Sequence, residues 1–408
     1  MSREAPLGVW LHGTRVAEIV AVRNGGVSCT YSAEALDRFP SNIPLLSCSL
    51  PLRPRRQDAS VFFAGLLPEG RHLQAMAAVA HLPAHDTFGL LARFGRDVAG
   101  AIVISADDPG KRVGGVEPYE GDTLAEAVAA LPERPLDLHD DSELSIAGLQ
   151  DKLLLVDLGG GKWGRPQHGR PSTHILKVED RRYPGMAERE VACLRLARAA
   201  GLTTVDARVE IHADIACVVV SRFDRIIDGS GTVERVHQED ACQALAREPR
   251  AQRGRGKYQA QGGPSFAEIA TILEQWAGDP IAELVALVKA AAFTALIGNA
   301  DAHGKNVALL HREPEFVELA PLYDTVPTVL WPRLRRQPAM TFGPRVAEIA
   351  AIGLDDLLAE ARSWRLNQDQ AAASIEECVN SVLEALDADV PEDLAVFVSE
   401  AANRIAGR

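Results

Sequence analysis

Asn299-Ala300-Asp301-Ala302-His303-Gly304-Lys305-Asn306, with Tyr323-Asp324 further on, is the stretch from which the rest of the chain is read. Asp301 and Asn306 stand five positions apart. In a phosphoryl-transfer loop with this D-x-x-x-x-N spacing, the Asp takes the proton of the acceptor hydroxyl and the Asn holds Mg²⁺. Asp324 is then available as a second metal carboxylate. The chemistry needs such groups, because the charge on the transferring phosphoryl must be neutralised and the attacking oxygen held in line. Taken alone, the segment also reads as a polar loop after a buried helix, since Asp and Asn bond their own backbone and cap helices.

Working outward, the texture changes near Leu144. Residues 153–156 and 173–178 read as strands, 187–200 as a helix, and 207–211 and 216–220 as strands. This β-β-α-β-β order resembles the small lobe of a kinase. Lys177 lies on the second strand and Glu190 in the following helix, with Glu188 as a competitor. A strand Lys paired with a helix Glu is how kinases hold the α- and β-phosphates; an exposed Lys and a solvated Glu is the other reading. Ser221-Arg222-Phe223-Asp224-Arg225 closes the last strand. It reads either as a hinge against adenine or as a charged strand end with Phe223 in the core. Ser145 precedes Ile146-Ala147-Gly148-Leu149-Gln150-Asp151-Lys152, whose small pair Ala147-Gly148 lets backbone approach a phosphate.

The flanks complete the organisation. Residues 8–11 and 17–20 around Gly13-Thr14 read as a hairpin, 45–52 and 100–105 as strands, and 61–67, 73–79 and 87–94 as helices. Residues 106–122 are rich in Asp, Pro and Gly, then a short helix (123–131) leads to an acidic linker with Asp137, Asp140 and Asp141. Beyond 238 the pattern is helical, at 238–246, 265–276, 281–298, 346–363, 366–386 and 391–406. The expected division is 1–110, a linker at 111–143, a nucleotide-binding lobe at 144–225 and a helical catalytic lobe at 226–408.

The chain has 408 residues, 47% of them hydrophobic, so two or three domains with ample core are expected. Its formal charge of −13 argues against gripping nucleic acid over the whole surface. The six cysteines form no C-x-x-C pair, which argues against zinc and for buried, inert thiols in a reducing compartment. No apolar signal core or membrane-length run is visible, so a cytoplasmic protein with no membrane association is expected.

The motifs also occur in a definite order. Ser145 to Lys152 is followed by His174-Ile175-Leu176-Lys177, Arg222-Phe223-Asp224-Arg225, His237-Gln238-Glu239-Asp240-Ala241-Cys242-Gln243, Lys257-Tyr258, Gly262-Gly263-Pro264-Ser265, the segment 299–306 and Pro321-Leu322-Tyr323-Asp324. Ser49-Leu50-Pro51-Leu52, Phe63-Ala64-Gly65-Leu66-Leu67-Pro68-Glu69-Gly70 and Gly95-Arg96-Asp97-Val98-Ala99-Gly100-Ala101 precede them. Over nearly its whole length the chain resembles the HipA family of toxin kinases from bacterial type II toxin–antitoxin modules. The resemblance implies an α+β, HipA-like kinase fold with a β-rich N-terminal lobe and a mostly helical C-terminal lobe. It implies a serine/threonine-protein kinase using ATP and Mg²⁺, acting on an aminoacyl-tRNA synthetase or other translation factor. The implied partner is a HipB-like helix-turn-helix antitoxin, with operator DNA reached mainly through it.

Residue by residue, the resemblance implies Asp301 as catalytic base, Asn306 and Asp324 as Mg²⁺ ligands and Lys177 on the ATP phosphates. Ser221 and Phe223 would supply backbone hinge contacts with Asp224 beside them, and 146–152 would cover the phosphates. His303 and Lys305 would reach the γ-phosphate or substrate. Ser145 would be an autophosphorylation site that silences the kinase, with Ser142 as a second candidate; a strand-start hydroxyl bonded to backbone is the other reading of Ser145. A small-molecule kinase of the aminoglycoside phosphotransferase type needs the same Asp-Asn-Asp set, and a non-catalytic, antitoxin-binding co-regulator would need none of it. A metal hydrolase built on Asp301 and His303 finds no further His/Asp cluster. The basic stretch Arg247, Arg250, Arg253, Arg255, Lys257 reads as a solvated loop or as a contact for an acidic partner.

Overall fold

Side chains alternate in direction along a strand, and Lys152–Asp157 uses both of its faces. Leu153 and Leu155 join Leu176, Cys217 and Val219 in a core closed by Leu124, Val128 and Leu131. Leu154 faces the other way and belongs with Ile175 to the core of the N-terminal residues. The computed structural model describes residues 5–111, 114–137, 150–229, 231–345 and 347–407. Lys152–Asp157 lies in a six-stranded sheet of order Ala207–His212, Ile215–Ser221, His174–Val178, Lys152–Asp157, Trp163–Gln167, Gly115–Pro118. A five-stranded sheet of order Gln57–Asp58, Val27–Tyr31, Thr14–Ala21, Leu7–Leu11, Ile102–Ser105 precedes it. The chain divides into two compact units, Met1–Val178 with Glu210–Glu239 and Leu310–Phe316, and Glu179–Val209 with Asp240–Leu309 and Val317–Arg408. Strands and helices together make an α+β fold.

Several elements differ from the sequence reading. The first hairpin turns at His12-Gly13, where Leu11 pairs with Thr14 and both turn residues have positive φ (47° and 77°). Those angles are what a two-residue turn matching strand twist requires. Residues 45–52 are not a strand. Leu45, Leu46, Leu50 and Leu52 are buried, but the backbone folds back through Leu50 N–H to Ser47 O and Leu52 N–H to Ile43 O. The Glu239 carboxylate fixes this bend, accepting from Ser47 Oγ (2.5 Å) and Cys48 N–H (2.8 Å).

The stretch read as a linker contributes structure as well. Gly115–Pro118 pairs antiparallel with Trp163–Gln167, and Thr123–Ala130 packs its Leu124, Ala127 and Val128 into the sheet core. Its Asp, Pro and Gly content hid a short edge strand. Asp140 and Asp141, the other acidic linker positions, lie outside the described residues.

In the second unit the longest helices are Pro280–Leu296 and Gln368–Glu384, joined by Met186–Ala199, Phe266–Trp276, Leu354–Ser363 and Glu392–Ile405. Pro280–Leu296 starts where Asp279 caps it and Pro280 occupies the first turn. It ends directly before the 299–306 loop. The expected helix 346–363 is instead a 3-10 turn, Ile349–Ala351, and a helix, Leu354–Ser363, capped at Gly353. The expected helix 238–246 is a strand, His237–Asp240, followed by one turn, Ala241–Ala244. None of the six cysteines forms a disulfide, and five are buried. Among the described residues no helix is long and apolar enough to cross a membrane.

Candidate active site

The 299–306 loop is held by its own polar groups. Asn299 Oδ1 accepts from Asp301 N–H (3.0 Å), and Thr328 Oγ1 accepts from Ala300 N–H (2.8 Å). Asp301 O accepts from His303 N–H (2.8 Å) and from Asn306 Nδ2 (3.2 Å). The amide of Asn306 is thus turned toward Asp301 with its donor engaged. Tyr323 donates its hydroxyl to Lys305 O (2.6 Å), tying the segment before Asp324 to the same loop. Asp324 adopts φ +55°, a left-handed conformation that side chains other than Asn and Asp seldom take and that clusters at functional sites.

Electrostatics single out Asp301. Burial pushes its carboxyl above the ordinary value, the Tyr258 hydroxyl bond and Lys257 oppose this, and Asp324 adds to it. Two carboxylates that each disfavour the other's charge are what a divalent cation relieves. Burial and Lys257 lower His303 to about 3, so its imidazole is neutral. Its ring meets the Tyr258 ring edge-on at 5.3 Å.

Of the other expected nucleotide-binding residues, Gln150, Asp151, Lys152, Lys177, Ser221 and Phe223 lie in the first unit, and Glu188 and Glu190 in the second. Lys152 and Lys177 are both buried and directly opposed on adjacent antiparallel strands. Ser221 pairs with His174 at the strand end, and the Arg222 N–H bonds Thr173 O (2.9 Å). Phe223 is half-buried in the turn that follows. Gln150 Nε2 donates to Val178 O (3.1 Å), and Asp151 pairs with His72 (3.0 Å) and Arg71. Ser142, Ser145, Ile146, Ala147, Gly148 and Leu149 lie outside the described residues. Glu190 is buried at 1% exposure, whereas Glu188 is exposed.

Three assignments change. Asp224 does not line a nucleotide site with its carboxylate. It is 2% exposed and bonded by Arg222 (2.8 Å) and Gly100 N–H (2.7 Å), in a cluster with Asp97 and Arg225. The Lys305 ammonium is paired with Asp240 Oδ2 at 2.6 Å, both side chains buried, so it braces the loop. Lys257 belongs to no surface basic patch: it is 6% exposed and close enough to Asp301 and His303 to shift both. Arg247 pairs with Glu268 (2.5 Å), while Arg253 and Arg255 are exposed.

Two residues had no assigned role in the sequence reading. Tyr258 donates its hydroxyl to Asp301 Oδ1 at 2.7 Å. Asp240, besides holding Lys305, caps the turn Ala241–Ala244 in a reciprocal capping box with Gln243. The D-x-x-Q spacing of 240–243 carried that second signal.

The model of the HipA-like C-terminal domain matches residues 144–386, and that of the HipA N-terminal domain matches 7–105. The chain belongs to the HipA family. A Sinorhizobium fredii (strain NBRC 101917 / NGR234) protein named as a candidate kinase, Y4mE, is 36% identical over 98% of this chain and 97% of its own. The serine/threonine-protein kinase toxin HipA of Shewanella oneidensis is 29% identical over 72% of this chain and 69% of its own. A solved complex of Shewanella oneidensis MR-1 HipA, HipB and operator DNA matches with a TM-score of 0.80 at 25% identity, covering 98% of this chain and 97% of that one. The HipA-like architecture is therefore the fold of this chain, and its relatives carry kinase names.

Proposed function

We propose that this HipA-family chain is an ATP- and Mg²⁺-dependent serine/threonine-protein kinase, the toxin of a HipA/HipB-type module in the cytoplasm. The observation that carries the reading is the joint placement of Asp301, Asn306 and Asp324. One loop and one left-handed Asp bring an elevated carboxylate, an amide and a second carboxylate into mutual influence. Mg²⁺ needs only one or two protein carboxylates when substrate phosphates and water complete its shell, so this donor set fits the ion. Asn306 and Asp324 would hold it; bound there, it would neutralise charge on the transferring phosphoryl. Asp301 takes the proton of the acceptor hydroxyl. A carboxylate with a raised pKa is a stronger base than a surface Asp.

Lys177 is assigned to the ATP phosphates, supported by its burial on the strand His174–Val178. Ser221 and Phe223 supply backbone groups to adenine, and residues 146–152 cover the phosphates. The partner is a HipB-like antitoxin, which carries the operator DNA contact, and the substrate is an aminoacyl-tRNA synthetase or another translation factor.

Phosphoproteomics after induced expression of the chain and of Asp301→Ala tests the reading. New phosphoserine or phosphothreonine on a translation factor with the intact chain alone supports it. Identical phosphoproteomes contradict it. Ser145 is assigned as the autophosphorylation site, its phosphate adding nearly two negative charges beside Asp140, Asp141 and Glu143 and so weakening ATP binding. Mass spectrometry of protein incubated with Mg-ATP should find phosphate on Ser145, and ATP should then bind more weakly; an unmodified Ser145 in active enzyme rules this out.

A further inference from the structure

We propose that Tyr258 is a positioning residue for Asp301, its phenol holding Oδ1 so that Oδ2 is the oxygen presented to the acceptor hydroxyl. The inference rests on the reading of Asp301 as the base. A carboxylate has two equivalent oxygens, and a base that must meet an incoming hydroxyl in line gains from having one of them fixed. The Tyr258 hydroxyl donates to Oδ1 at 2.7 Å. Such a bond to an ionised acceptor is roughly twice as strong as one between neutral groups.

The phenol is itself fixed from several directions. Its ring packs edge-on against His303 of the same loop, and the Arg335 guanidinium lies over it at 4.9 Å from the centroid. Tyr258 O accepts from Gln261 N–H (2.9 Å) and Gly263 N–H (3.0 Å), and Tyr258 N–H donates to Arg255 O (3.0 Å). The preceding carbonyl, Lys257 O, accepts from Gly304 N–H (3.1 Å). Segment and loop are therefore bonded through backbone as well as through the phenol.

Two glycines permit that approach. A Cβ at Gly263 would stand 2.5 Å from the Lys257 carbonyl carbon, and one at Gly304 would stand 2.4 Å from Pro264. The Lys257-Tyr258 and Gly262-Gly263-Pro264 motifs thus form one strut against the loop. Within that strut the Tyr258 hydroxyl bonds Asp301 directly.

The test uses the full chain as wild type, Tyr258→Phe, Asp301→Ala and the double variant. Phe keeps the ring against His303 and Arg335 and removes the donor alone. Turnover is read as ADP release from Mg-ATP, with ATP affinity by calorimetry and Tm alongside. Tyr258→Phe should lower turnover about 10- to 100-fold with ATP affinity and Tm near wild type. Added to Asp301→Ala it should cost nothing further, because the two groups act as one unit. Wild-type turnover in Tyr258→Phe beside an inactive Asp301→Ala overturns the role of Tyr258 and leaves the base standing. So does a loss that tracks falling Tm and ATP affinity, or one that adds fully to Asp301→Ala. Undiminished turnover in Asp301→Ala overturns the reading of the base itself, and the role of Tyr258 with it.

Discussion

Asp301 carries a cost that the role of base proposed for it would explain. A folded-state pKa above the ordinary value means that burial penalises the charged form. The linkage follows: below the ordinary Asp value the group is protonated in both states, and stability is lost as pH rises through the raised folded value. Asp301→Asn should therefore abolish phosphoryl transfer while raising Tm at neutral pH, with the gain vanishing in acid; thermal melts across pH check it. A lower Tm at neutral pH would mean that the carboxylate is a structural group. At this scale the proximity of Asp301 and Asn306 was legible in sequence because their bonds are local: Asn306 reaches Asp301 O within one loop. Lys305 and Asp224 were not. The counter-ion of Lys305, Asp240, is distant in sequence; Asp224 has its arginines, Arg222 and Arg225, beside it, but the Gly100 N–H and Asp97 that complete its buried cluster come from far along the chain.

Elements were legible where periodicity and caps coincide, as in Phe266–Trp276 with its Ser265/Glu268 box and Pro280–Leu296 with Asp279 and Pro280. They were misread where burial lacks a repeat. Residues 45–52 are apolar enough for a strand, yet Glu239, far along the chain, fixes them as a bend. Gly115–Pro118 is short and polar, and only its pairing with Trp163–Gln167 makes it a strand. Gly304→Ala should lower turnover far more than ATP affinity, because the added methyl would meet Pro264 at 2.4 Å and displace the loop rather than the nucleotide lobe; steady-state kinetics with calorimetry separate the two. Asp240→Ala removes the partner of a buried lysine and a helix cap together. It should cost about 3–5 kcal/mol in denaturant unfolding, and a change below about 1 kcal/mol would mean that Lys305 finds another partner at little cost.

At the scale of the whole molecule, the net charge of −13 contrasts with the basic groups gathered near Asp301, namely Lys257 and Arg335. The first unit buries its own charge cluster. Burial alone would raise Asp97, but Arg225, Arg222 and Arg235 hold it below the usual range. Its stabilising contribution is present above the unfolded Asp value and lost as pH falls through the folded one. Asp97→Ala should thus destabilise the chain by about 3–5 kcal/mol at pH 7, with the deficit shrinking in acid. Equal unfolding midpoints at pH 7 would contradict this. Membership of the family was legible from ordered motifs across the chain, since each is modest but their sequence is specific.

The most direct measurement is transfer of radiolabelled γ-phosphate from ATP by the purified chain. The acceptors are the chain itself and purified aminoacyl-tRNA synthetases with their tRNAs, with and without Mg²⁺. Label should appear on serine or threonine only with Mg²⁺, and not at all with Asp301→Ala. Transfer by Asp301→Ala at the wild-type rate, or no transfer by the intact chain to any of these acceptors, would contradict the account.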